Sequence, residues 1–137
     1  MYLPFMRYNH RYTFKADIDG FKVNDEYASS IDEDLYKPVV TLENVYCLDP
    51  DDKFKLVAIG ADLNYGKQLA QLGQLAKGET IQFNARIVSP WAHKLQEDLR
   101  NPTKVSIIKP LMKERYPVPD NEKLRVGYIM EVNGSMN

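Results

Sequence analysis

The side chains best suited to chemistry in this sequence are cations set beside aromatic rings. Lys53 and Lys55 flank Phe54, and Trp91 stands close to His93 and Lys94. Arg86 and Lys104 fall on the polar positions of neighbouring alternating runs. Lys109, Lys113, Arg115 and Tyr116 crowd together further on, and Arg125 opens the last apolar run. Bases stack on aromatic faces while lysine and arginine neutralise phosphates. The chemistry this pattern points to is therefore recognition of a single nucleic-acid strand, with no bond made or broken. The rings have a second reading, in which Phe54 and Trp91 cap the ends of a hydrophobic core.

Catalytic arrangements are hard to find. The two histidines, His10 and His93, are far apart, and no HExxH or Cys/His cluster occurs, so no zinc site is expected. A GxGxxG turn, a P-loop and a GxSxG elbow are all missing from the sequence. Asp49, Asp51 and Asp52 are close enough to suggest Ca²⁺, but Pro50 and Phe54 break the pattern of a calcium loop, and a solvated hairpin turn is expected instead. The single cysteine, Cys47, lies in an apolar run and reads as a small buried thiol. The expectation is a protein that is not an enzyme and needs no cofactor or metal.

Most of the elements that must position these side chains read as strands. Tyr12, Phe14, Ala16 and Ile18 alternate with polar residues, and Phe21 and Val23 resume the pattern after Asp19-Gly20. Residues 24–37, with Asp25, Glu26, Asp32, Glu33 and Asp34, read as an acidic loop or a partly ordered excursion. Residues 39–48 place Val40, Leu42 and Tyr46 on one side and Val45 and Cys47 on the other. Residues 54–63 alternate through Val57, Ile59, Ala61 and Leu63, and the Asp-Pro-Asp-Asp turn makes the two a hairpin. Leu69, Leu72 and Leu75 predict a short helix over 66–76, ended by Lys77-Gly78. Ile81, Phe83, Ala85 and Ile87 then alternate strictly. Trp91, Leu95 and Leu99 predict a second helix over 89–100, residues 103–112 a strand, 113–123 a loop and 124–132 a last strand.

Five or six half-buried strands leave two sheet edges unless the sheet curls shut. A mainly β fold follows, a small barrel of five or six strands with one or two short helices. An immunoglobulin-like sandwich needs about seven strands and ranks second. The run Leu75-Ala76-Lys77-Gly78-Glu79-Thr80-Ile81-Gln82-Phe83-Asn84-Ala85-Arg86-Ile87, with 101–108 and the 39–63 hairpin, resembles oligonucleotide-binding-fold (OB-fold) domains across roughly 38–110. It is similar to small phage and mobile-element proteins of Gram-positive bacteria, some of which bind single-stranded DNA. The resemblance implies an OB-like barrel whose inter-strand helix is 89–100. It also implies a ligand groove lined by Lys53, Phe54, Lys55, Arg86, Trp91, Lys104 and Arg125.

The 137 residues support one domain: an arm over 1–10, a barrel over 11–132 and a frayed tail over 133–137. The formal charge is -1, yet residues 1–52 carry 5 basic and 11 acidic side chains and residues 53–137 carry 13 and 8. A near-neutral total thus permits a basic face. No apolar stretch is long enough to span a membrane, and residues 1–12 do not read as a secretory signal, so a cytoplasmic protein is expected. Tyr2, Phe5, Tyr8 and Tyr12 make the arm apolar enough to predict a homodimer. The function expected is single-stranded DNA binding in phage or mobile-element replication or recombination. The alternative is a protein–protein adaptor.

Overall fold

A computed structural model describes residues 4–7, 9–28, 33–87 and 99–135. Trp91, His93 and residues 89–98 of the helix expected over 89–100 lie outside these residues, as do Tyr2, Tyr8 and Asp32, while the last two residues of that expected helix, Leu99 and Arg100, are strand. Five strands form one antiparallel sheet: β1 (Arg11–Ala28), β2 (Glu33–Leu48), β3 (Phe54–Asn64), β4 (Thr80–Ile87) and β5 (Leu99–Lys109). Their order is β3-β2-β1-β4-β5. Two helices join it among the described residues, α1 (Lys67–Ala70) between β3 and β4, and α2 (Glu122–Ser135) after β5. The sheet curls until β3 and β5 approach each other, but no ladder joins them among the described residues, so this barrel is open along one seam.

Alternation explains the concave side. Phe14, Ala16 and Ile18 of β1 and Ile81, Phe83, Ala85 and Ile87 of β4 are all buried, as their period of two requires. Phe14 and Phe83, partners in the β1–β4 register, stack with ring centroids 5.7 Å apart. In β2 the pattern shifts phase. Val40 and Leu42 are buried, and so are Val45 and Cys47, while Tyr46 faces outward. The cause is a bulge at Asn44, whose φ of 53° inserts one extra residue between the two buried pairs. Val45 and Cys47 therefore share the inner face with Val40 and Leu42, and do not oppose them as the alternation alone predicts. Ile59, expected inside with Val57, Ala61 and Leu63, is 82% exposed. It lies opposite exposed Asn44, between the pairs Glu43–Gly60 and Val45–Ala58, and the β2–β3 register slips just beyond, between Val45 and Tyr46.

Three further expectations are corrected. In the acidic segment 24–37 the described residues, 24–28 and 33–37, are strand: Asn24 pairs with Lys37, Asp25 with Tyr36 and Ala28 with Glu33, so β1 and β2 run on past their neighbours as a two-stranded ribbon. A ribbon paired only through its backbone needs no apolar face, so hydrophobic periodicity cannot reveal it. The helix over 66–76 shrinks to four residues. Gly73 takes a φ of 77°, and a Cβ there would meet the Arg115 Cβ at 3.1 Å and the Tyr116 carbonyl oxygen at 3.2 Å. The chain after α1 is thus shaped by close approach of the 115–116 backbone, whose Tyr116 carbonyl accepts from Gln74 N–H.

The largest correction is at the C-terminal end, where 124–132 is helix and not strand. Asn121 caps it: its Oδ1 accepts from the amides of Lys123 and Leu124 at 2.9 and 3.3 Å, and its carbonyl oxygen accepts from Arg125 N–H. The buried side chains are Arg125 and Ile129, one turn apart, while Leu124 and Met130 are exposed. The tail expected to fray instead continues α2 to Ser135. No helix is long and apolar enough to cross a membrane among the described residues.

The described part of the arm folds back on its own sheet. Phe5 packs edge-on to Tyr12 at 5.8 Å, the Tyr12 hydroxyl donates to the Phe5 carbonyl oxygen, and Asn9 N–H donates to Ile87. Phe5 and Met6 lie partly buried against the core. Of the four aromatic residues behind the dimer expectation, Phe5 and Tyr12 are thus engaged within the chain, and Tyr2 and Tyr8 lie outside the described residues.

Candidate nucleic-acid interface

The convex face of the sheet carries the side chains that alternate with the core. Register places Arg11 of β1 beside Arg86 of β4, and Arg86 beside Arg100 of β5. Three arginines therefore stand in one row across three adjacent strands, all exposed. Like charges directly opposite one another repel, so the row persists only where something else holds it. Arg11 is held: its Nη2 donates to the Asn84 and Asn101 carbonyl oxygens and to Thr103 Oγ1. Among the described residues Arg86 meets no partner, and Arg100 donates to the neighbouring Leu99 carbonyl oxygen alone. One strand pair further in, Thr13, Asn84 and Thr103 form a polar row, with Thr13 Oγ1 donating to Asn84 Oδ1 at 2.8 Å.

Beside the arginines lies an aromatic patch. Lys15 of β1 is paired with Tyr46 of β2, and Tyr46 with Leu56 of β3. The Lys15 ammonium sits 4.5 Å from the centre of the Phe54 ring and 5.4 Å from that of Tyr46. Both rings are half-buried, and Leu56 is half-exposed. A cation held over two rings fixes their orientation and leaves part of each ring open.

This end of the sheet is also where the 49–53 turn lies. Asp49 Oδ1 accepts from the amides of Asp51 and Lys53, both at 2.9 Å, and Asp52 takes a φ of 64°. The aspartates build a turn, as expected, and no group of three metal-ligating side chains occurs among the described residues. Lys53 and Lys55 project from the turn into solvent. Acidic side chains follow at once along the strands, since Asp17–Glu43 is the next pair after Lys15–Tyr46 in the β1–β2 register.

The candidate residues thus separate. Phe54 and Arg86 lie towards the same end of the convex face, Lys55 alternates to the other side of β3 opposite buried Cys47, Lys53 is exposed in the turn, and Lys104 lies on the bulge after Thr103, with a φ of 51°. Arg125 does not belong with them. It is 4% exposed, and its guanidinium donates to the carbonyl oxygens of Tyr65, Pro119 and Asp120. It pins α2 and the segment before it to the end of β3. Arg115 is also committed elsewhere, in a bidentate pair with buried Glu79. Arg11, Lys15, Tyr46 and Arg100 were missed by the sequence reading. Arg11 and Lys15 could have been found by projecting the polar half of their alternating run, since residues two apart share a face, but Tyr46 could not, because only the Asn44 bulge turns it outward. Arg100 could not, because it sat in a predicted helix.

Two groups on the chain are chemically quiet. Burial pushes the Cys47 thiol up to about 12, with Asp49 adding to the rise, so it carries no thiolate at neutral pH. Burial likewise raises the Tyr65 phenol, which lies beneath Phe21 with rings 5.6 Å apart. No protein-family model, no curated protein and no solved structure matches this chain.

Proposed function

We propose that this chain is a non-enzymatic, cytoplasmic single-stranded nucleic-acid-binding protein, with DNA the ligand, serving replication or recombination of a phage or mobile element. The observation that carries the reading is the row Arg11–Arg86–Arg100 beside the Lys15–Tyr46–Phe54 patch. Cations spaced by the strand separation, about 5 Å, can track a phosphate backbone, and partly open rings at its flank offer stacking surfaces. Lys53, Lys55 and Lys104 extend the positive rim.

The test is a set of variants in an oligo-dT binding assay. Arg86→Ala with Arg100→Ala should weaken binding at least tenfold and lower the salt slope by about 1–1.5, since two phosphate contacts are lost. Phe54→Ala should weaken binding through lost stacking, by roughly 1–3 kcal/mol, with the slope unchanged. If both variants bind like the wild type, the convex face is not the interface.

The adaptor reading has one observation in its favour: Leu56 and Ile59 are exposed on β3, an outer strand of the sheet. An edge strand with exposed apolar side chains can pair with another protein. Loss of oligonucleotide binding in the wild type, with retained fold, would favour it.

A further inference from the structure

The open seam between β3 and β5 forms a cleft of about 560 Å³, within the range of small-ligand sites. Its floor is apolar, made by buried Val39, Leu63 and Leu99. Its walls carry three carboxamides, Asn24, Asn64 and Asn101, for whose side chains no hydrogen bond is found among the described residues. The charges near it are mostly matched: Lys22 pairs with Asp62 at 2.7 Å and Lys37 with Glu122 at 3.5 Å. Arg100 has no acidic partner among the described residues, and it belongs both to the cleft and to the arginine row. The wall is held by that row as well. Arg11 Nη2 donates to the Asn101 carbonyl oxygen at 2.5 Å, fixing a residue whose φ is 52°.

We infer that this cleft takes one nucleobase of the bound strand, read on its edge by Asn24 and Asn64, with adenine preferred. The inference rests on the nucleic-acid reading above. A strand that runs along the arginine row reaches Arg100, where a phosphate is neutralised, and the next base meets the cleft. A flat apolar floor suits a base's π-face. A carboxamide offers a donor and an acceptor side by side, the complement of adenine N7 and N6. A mixed donor–acceptor wall of this kind does not suit a bare phosphate, which needs donors only.

The experiment compares dT10 with the same strand carrying one central dA, using the full chain and the Asn24→Ala, Asn64→Ala double variant. The single adenine should tighten wild-type binding about tenfold, at the low end of one bidentate base contact. In the variant this preference should vanish, while affinity for dT10 and its salt slope stay as in the wild type. Equal wild-type affinity for both strands, or a preference that survives in the variant, overturns the inference and leaves the strand-binding reading intact. Failure to bind either strand overturns both. A melting temperature for the variant equal to the wild type's confirms that the readout is recognition and not stability.

Discussion

Replacing Glu79 by Ala should destabilise the fold by about 3 kcal/mol or more, the scale for breaking a buried ion pair on one side. Glu79 is fully buried at the entry to β4. Its Oε1 accepts from the amide of Ala76 at 2.6 Å and from Arg115 Nη1 at 2.7 Å, and its Oε2 accepts from the amide of Leu111 at 2.8 Å and from Arg115 Nη2. Arg115 Nη1 also reaches the Gln74 carbonyl oxygen. One carboxylate thereby joins three stretches of chain: the turn before β4, the segment after β5 and the residues around 115. The Arg115 guanidinium, helped by the Leu111 and Ala76 amides, holds this carboxyl down at about 2 despite its burial. A carboxyl whose folded value lies below its ordinary one stabilises the fold above about pH 4.5 and loses that contribution as pH falls towards 2. The loss amounts to about 3 kcal/mol, from 1.36 kcal/mol per tenfold change in proton affinity. Glu79→Gln should flatten stability across that acid range. Chemical denaturation from pH 7 down to pH 2.5 measures both effects, and a variant as stable as the wild type at pH 7 would show the clamp to be idle.

Phe83→Asp should leave the domain unfolded at room temperature. Phe83 is fully buried and stacked on Phe14. Truncating a buried phenylalanine costs about 3–5 kcal/mol, and burying a charge without a partner adds several more. A small domain has about 5–15 kcal/mol in total. Phe83→Leu, which keeps the site apolar, should cost only about 1–2 kcal/mol and stay folded. Circular dichroism of the two variants checks this, and a folded Phe83→Asp would mean that β4 faces the other way.

Where one face is buried and strands run regularly, alternation sufficed: the inner positions of β4 and the first half of β1 were legible residue by residue. It failed where the backbone slips. At Asn44 a bulge moves Val45 and Cys47 onto the same face as Leu42, and nothing in side-chain type marks a bulge when the inserted residue is a common asparagine. It failed again over 124–132, because Leu124, Val126, Tyr128, Met130 and Val132 fit a period of two. The period of four that won is carried by Ile129 and a buried arginine, a residue that hydropathy counts as exterior. Asn121 was the available signal, a capping residue just before the run. For the site, cations and rings were visible as types, but their company depends on cross-strand register. Arg86 was correctly placed on a polar face, yet only pairing reveals Arg11 and Arg100 on either side. Arg125 shows the converse, a buried cation whose Nε and Nη1 donate to backbone carbonyls.

The most direct test of the central claim is the affinity of the purified chain for dT oligomers as a function of salt. Neutralising about four phosphates on the convex face predicts that log K falls with log salt with a slope of about −3. Arg86→Ala with Arg100→Ala should reduce that slope. A chain that is folded and shows no affinity for dT oligomers at low salt, or binds them with no dependence on salt, contradicts the account.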